Sequence, residues 1–350
     1  MIGNKGIKRS ELISFNKTLS LMLLSRLNIL QALEIIFSET KNKSFRAVLK
    51  KIITEVKSGS SLSKSFSKYP KLFPDIYIAN LKVAEETGEV AEVLMEYTKY
   101  EENVENLKRK IVQASRYPLL VLVVAFLVVV FMVFFLIPTF QGLFSSSKLA
   151  LPPLTAVIMD ISVFIKENSI VILLLLMALG FSLKVMKKMD SVKSLTDRLL
   201  LEAPLIPKLY TRNTLARFSL SMAILLRSRV TLLEALKISK NISSNRLFKS
   251  EIDFLIRKLI KGENISSNIQ NSRFFDLTFI RMLKVGEESA ELEKVFSLIG
   301  SYYSKEFDYY LDNLTSLIEP VLILFIGLIV ALILVAMYMP MFELVNNFGV

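Results

Sequence analysis

The strongest constraint on this chain is an internal repeat. SRLNILQALEII (25–36) returns as SRVTLLEALKIS (228–239), and LKVAEETGEVAEVL (81–94) returns as LKVGEESAELEKVF (283–296). The first pair is offset by 203 residues and the second by 202, with Gly59 and Gly262 aligned between them. Each copy then runs into a proline, Pro118 or Pro320, that opens a long apolar segment. A spaced, collinear match of this kind identifies a duplicated structural unit.

The segments after the prolines set the class. PLLVLVVAFLVVVFMVFFLI (118–137) and PVLILFIGLIVALILVAMYM (320–339) carry no charge and are long enough to cross a bilayer as helices. SIVILLLLMALGFSLKVM (169–186) is a third, with Lys184 near one end, where it can snorkel. A backbone in lipid must satisfy its own hydrogen bonds, so all three spans are expected as helices. Hydrophobic residues make up 52% of the chain and the mean hydropathy is +0.48. The polar, basic start gives no cleavable signal peptide, so the first span is expected to act as an internal start-transfer helix.

Charge gives an orientation. Between residues 138 and 168 only Lys148 and Lys166 are basic, and the tail after the third span has no basic residue. Lys108, Arg109, Lys110 and Arg116 precede span one, and Lys187, Lys188, Lys193 and Arg198 follow span two. The positive-inside tendency then places both repeats and the N-terminus in the cytoplasm, and the loop and C-terminus outside. The net charge of +12 serves as this topology signal and favours anionic headgroups. No nucleic-acid motif accompanies it, and the basic residues are scattered over amphipathic helices.

The expected fold is an all-α membrane protein with two repeated cytoplasmic helical bundles and three transmembrane helices. The first bundle takes residues 1–116, span one 117–138, an extracytoplasmic loop 139–168 and span two 169–187. The second bundle takes 188–318, span three 319–340 and an outer tail 341–350. Within the bundles, Val48, Leu49, Ile52, Ile53 and Val56 make one helical stripe, ended by Gly59. Ile252, Leu255, Ile256, Leu259 and Ile260 make its partner, ended by Gly262. Pro118 and Pro320 suit a helix first turn, with Glu319 at or before the N-cap. Pro138 is expected to end span one, and 154–165 to lie in the interface as an amphipathic helix.

The chain contains neither cysteine nor histidine, which excludes disulfides, thiolate chemistry and a Ser-His triad. No Walker A loop and no G-x-S-x-G is present. No cofactor is implied. The clearest polar constellation is an acidic turn: Glu85, Glu86, Thr87, Gly88 and Glu89 in copy one, and Glu287, Glu288, Ser289, Ala290 and Glu291 after Gly286 in copy two. Three readings stand. It is a helix end and a new helix capped by Thr87 or Ser289, an acidic contact for a basic partner, or a carboxylate cluster for a divalent cation. The aromatic residues that follow (Tyr97 and Tyr100; Tyr302, Tyr303, Phe307, Tyr309 and Tyr310) read as core or interface residues. No carboxylate or arginine lies inside a span, so no ion path is apparent.

Two helical units, each with an L-x-x-A-L segment, a G/A-E-E-[ST]-[GA]-E-[VL] turn and a Y-P or E-P start to an apolar helix, resemble the type II secretion F domain. The family pattern G-E-x-S-G-x-L maps onto Ala84, Glu85, Thr87, Gly88 and Val90, and onto Gly286, Glu287, Ser289, Ala290 and Leu292. Ala84 and Ala290 each replace a family glycine, and Arg26 and Arg229 stand where the family often has one. The resemblance implies a non-enzymatic inner-membrane platform of type IV pili, type II secretion or competence pseudopili. It implies a hexameric motor ATPase docked below, pilin or pseudopilin subunits packed in the membrane, and a homo-oligomer. Glu85, Glu86, Gly88, Glu89, Gly286, Glu287, Glu288 and Glu291 are the candidate partner-binding residues. The alternative is a permease subunit of an ATP-driven transporter. A membrane-tethered sensor is a third possibility, without a ligand site to support it.

Overall fold

The computed structural model describes residues 7–146, 152–186, 201–202, 206–270 and 272–348. Lys148 and the basic flank Lys187, Lys188, Lys193 and Arg198 lie outside them, as does the Lys184 side chain. The regular elements among the described residues are all helices, with no strand among them. The chain divides into two compact units, one of Met1–Lys110 with Leu199–Tyr309, the other of Ile111–Arg198 with Tyr310–Val350.

In the first unit, copy one supplies α1 (Arg9–Leu24), α2 (Ile29–Glu39), α3 (Lys43–Lys57), α4 (Leu62–Ser67), α5 (Asp75–Thr87) and the start of α6 (Val90–Phe131). The same caps recur at repeat-equivalent positions. Asn42 accepts from the N–H groups of Ser44 and Phe45 at the start of α3. Asn245 accepts from Leu247 and Phe248 at the start of its counterpart, Arg246–Ile260. Both cores are aromatic. Phe15 meets Phe45 edge-on at 5.4 Å, and Phe218 meets Phe248 the same way at 5.5 Å. Phe73 and Tyr77, 5.1 Å apart, are matched by Phe275 and Phe279 at 4.6 Å. Both sequence stripes face these cores, except that Ile260 is exposed. Tyr97, Tyr100, Tyr303 and Phe307 are buried with them, whereas Tyr302 and Tyr309 are not.

Copy two supplies α10 (Ile206–Arg227), α11 (Leu232–Ser239), α12 (Arg246–Ile260), α13 (Ile265–Asn268), α14 (Leu277–Glu288) and the start of α15 (Leu292–Phe348). Both copies turn after their first helix through an arginine in the left-handed region, Arg26 at φ 65° and Arg229 at φ 61°. A Cβ is unfavourable there by about 1–2 kcal/mol. Each of Arg26→Gly and Arg229→Gly should therefore raise stability, by up to about 1 kcal/mol once glycine's extra unfolded-state freedom is deducted. Thermal unfolding of the single variants checks this.

The second unit corrects the reading of the prolines. Pro118 lies inside α6, and Pro320 and Pro340 lie inside α15. The helices are already running when they reach these prolines, and neighbouring turns carry them through the lost bond. Glu319 is accordingly no N-cap; its carboxylate accepts from the Tyr117 hydroxyl at 3.0 Å. Nor does Pro138 end the first span. A π-helical turn, Met132–Leu136, precedes it, and α7 (Ile137–Ser146) continues through it.

The π turn sends the Ile137 N–H to the carbonyl of Met132. Val133 is left without a backbone donor, because the residue five further on is Pro138. The Ser162 hydroxyl from α8 (Pro153–Glu167) supplies the missing bond at 2.9 Å. Pro340, the repeat equivalent of Pro138, likewise cannot donate to the carbonyl of Ala336, and the Thr155 hydroxyl of the same α8 donates to it instead. One short helix thus satisfies the carbonyl that each proline orphans. The 154–165 segment is therefore packed through its Thr155, Met159 and Ser162 face. A bend of 73° joins α8 to α9 (Ser169–Met186).

Among the described residues two helices are long and apolar enough to cross a membrane, Val90–Gly142 with 53 residues and Leu292–Pro340 with 49. The bent pair of α8 and α9 would count as a third if taken as one span.

Candidate acidic-turn site and family

In copy one, α5 ends at Thr87, Gly88 turns the chain at φ 78°, and α6 begins at Val90. The Thr87 hydroxyl points back to the carbonyl of Ala84 at 3.5 Å, and Ser289 is a C-cap. Neither caps the following helix. The N-cap places fall to Glu89 and Glu291, whose carbonyls accept from Val93 and Val295 at 3.1 Å.

The first glutamate of each turn reaches away from the turn. The Glu85 carboxylate accepts from the backbone N–H groups of Leu62 and Ser63, the second at 3.0 Å, and from the Ser63 hydroxyl. Glu287 repeats this with Ile265 at 2.6 Å, Ser266 at 3.1 Å and the Ser266 hydroxyl. A negative charge against the first N–H groups of a short helix is a charge-assisted cap. Glu85 and Glu287 thereby pin α4 to α5 and α13 to α14. The sequence signal of this role is that Ser63 and Ser266 recur with the glutamates, one repeat apart.

The remaining acidic residues are exposed: Glu86 and Glu89 in copy one, Glu288 and Glu291 in copy two. Glu291 pairs with Lys294, and Glu288 lies 3.7 Å from Lys284. Among the described residues no group of three acidic side chains is gathered that could hold a metal ion. The family-glycine positions divide into two kinds. Gly88 and Ala290 (φ 57°) occupy the left-handed turn. At Gly286 an added Cβ would sit 2.9 Å from that of Val295, while its counterpart Ala84 is fully buried.

Just beyond the turns, Arg227 joins the two copies. Its guanidinium lies 2.6 Å from Glu96 and 2.7 Å from Glu293. The hydrogen bond to Glu293 is the largest cause holding Arg227 above the usual arginine pKa, against the effect of burial.

Comparison with known proteins places this geometry. The chain matches the type II secretion system protein F family over residues 15–138 and 218–340, once per repeat. It is 29% identical over 346 residues to the type IV pilus assembly protein PilC of Pseudomonas aeruginosa, covering 99% of this chain and 92% of that one. It is 30% identical over 347 residues to the PilC of Thermus thermophilus, covering 99% and 85%. It is 25% identical over 340 residues to the type II secretion system protein F of P. aeruginosa, covering 97% and 84%. Both acidic turns and all four repeat-matched prolines fall inside the matched segments, and the chain belongs to the type II secretion system protein F family.

Proposed function

We propose that this chain is a non-enzymatic inner-membrane platform of a type IV filament assembly machine. The observation that carries the reading is the family match across both repeats, each running into a long apolar helix. In this reading Val90–Gly142 and Leu292–Pro340 cross the membrane, and the bent pair of α8 and α9 is the third span. The repeated bundles and the N-terminus face the cytoplasm, and the C-terminus lies outside. A hexameric motor ATPase docks on the bundles, and the chain, as a homo-oligomer, passes its motion to pilin or pseudopilin subunits packed against the spans. The filament is a pilus or a secretion or competence pseudopilus.

The exposed Glu86, Glu89, Glu288 and Glu291 are the partner-facing part of the acidic turns, where rim charges steer a basic surface. Gly88 shapes the first turn and Gly286 seats the second, while Glu85 and Glu287 hold both in place. Reversing Glu86 with Glu89, or Glu288 with Glu291, to lysine should abolish filament assembly with membrane insertion unchanged. Filament counts by electron microscopy, beside membrane levels of the variant, test this. Normal counts in both variants would overturn the partner-facing reading.

A further inference from the structure

Within the first unit the two copies meet chiefly through one pair of faces, to which a Lys110–Asp308 ion pair adds a contact between α6 and α15. Helix α5 of copy one packs on α10 and α11 of copy two. Beside it Arg227 of α10 is paired with Glu96 of α6. This interface takes the α5–α6 side of one copy and the first-helix side of the other, so it is head-to-tail. Each copy therefore has one such face left over.

The leftover faces are apolar and open. On copy one, Leu21 and Leu27 are exposed at 50% and 37%, whereas their equivalents in the interface, Ile224 and Val230, are buried at 5% and 8%. Leu24 and Ile35 lie on the same exposed side. On copy two, Leu277, Val285, Leu298 and Tyr302 are exposed, and Tyr302 is the equivalent of the buried Tyr100. Among the described residues of this unit, most of the exposed large apolar side chains fall on these two faces. The repeat offsets carry the Arg227–Glu96 ion pair onto Leu24 and Leu298, so a salt bridge inside the chain corresponds to an apolar pair between the open faces.

We infer that the copy-two face of one chain docks on the copy-one face of a second copy of this chain, repeating the internal interface with Leu24 against Leu298. The occupant is argued from this continuity: the two faces already mate once within the chain, and patches of this kind on a monomer mark an interface. A head-to-tail contact closes into a ring or extends as a filament. The inference deepens the homo-oligomer part of the function proposed above and is independent of the motor.

The absence of cysteine permits a direct test. Full-length chains with two different tags, one carrying Leu24→Cys and the other Leu298→Cys, are co-expressed and oxidised in native membranes. A disulfide-linked dimer holding both tags is expected, and neither variant alone should give one. Leu24→Cys with Ile260→Cys, exposed but off both faces, should stay monomeric. Because Leu24 and Leu298 are exposed, their substitution leaves the core intact. As a second arm, Leu24→Arg alone should lower oligomer mass, and adding Leu298→Glu should restore it by recreating the ion pair. No mixed dimer while the wild type remains oligomeric by native mass would overturn this surface and leave the homo-oligomer reading standing. A monomeric wild type would overturn both.

Discussion

Glu287→Ala should be among the most damaging single changes outside the aromatic cores, with Glu85→Ala close beside it. Each removes a carboxylate that satisfies two backbone N–H groups and a serine hydroxyl. The short helices α4 and α13 have only a few residues with which to compensate, 6 and 4 respectively. Charge-assisted bonds with orphaned donors left behind correspond to about 2–3 kcal/mol at each site. For a unit of this size that is a fall of about 5–10 °C in the unfolding midpoint. Glutamine keeps only one acceptor oxygen and should fall between wild type and alanine. Thermal unfolding of the purified full-length protein checks the order. If Glu287→Ala unfolded with the wild type while filament assembly was lost, the carboxylate would belong to a partner and not to α13.

Removing the two hydroxyls of α8 should give the second large effect. Thr155→Val with Ser162→Ala leaves the carbonyls of Ala336 and Val133 without donors, since Pro340 and Pro138 cannot replace them. Hydrogen bonds between apolar helices contribute about 0.6–1.7 kcal/mol each, so the pair should cost roughly 2 kcal/mol. Unfolding in bicelles measures it. The cause can be separated by a double-mutant cycle. Pro138→Ala restores a backbone N–H, so Ser162→Ala should cost less in that background. An equal cost in both backgrounds would show that Ser162 acts through packing alone.

Much of this was legible in the sequence for one reason: a duplicated chain supplies its own comparison. Gly59 and Gly262, the stripes on α3 and α12, and the helix–turn–helix around Gly88 all appear twice, so local chemistry sufficed to read them. What was not legible depends on side chains that act across distance. Glu85 looked like part of a surface turn because its partners, Leu62 and Ser63, lie more than twenty residues away. The prolines looked like boundaries because proline lacks an N–H, and periodicity does not reveal that a serine on another helix will satisfy the freed carbonyl. Ser162 and Thr155 carry no motif. In the sequence Arg26, Arg229 and Ala290 are departures from a family glycine; their positive φ shows that the turn geometry is kept and that an ordinary residue bears its strain.

The most direct measurement is a gentle affinity purification of the tagged full-length protein from its native membrane, with partners identified by mass spectrometry. The wild type should bring down a hexameric ATPase together with pilin-like proteins. The variant with Glu86, Glu89, Glu288 and Glu291 reversed should keep the pilins and lose the ATPase. Recovery of a solute-binding protein and a transport ATPase, with no pilin-like protein, would contradict the platform function and favour a permease.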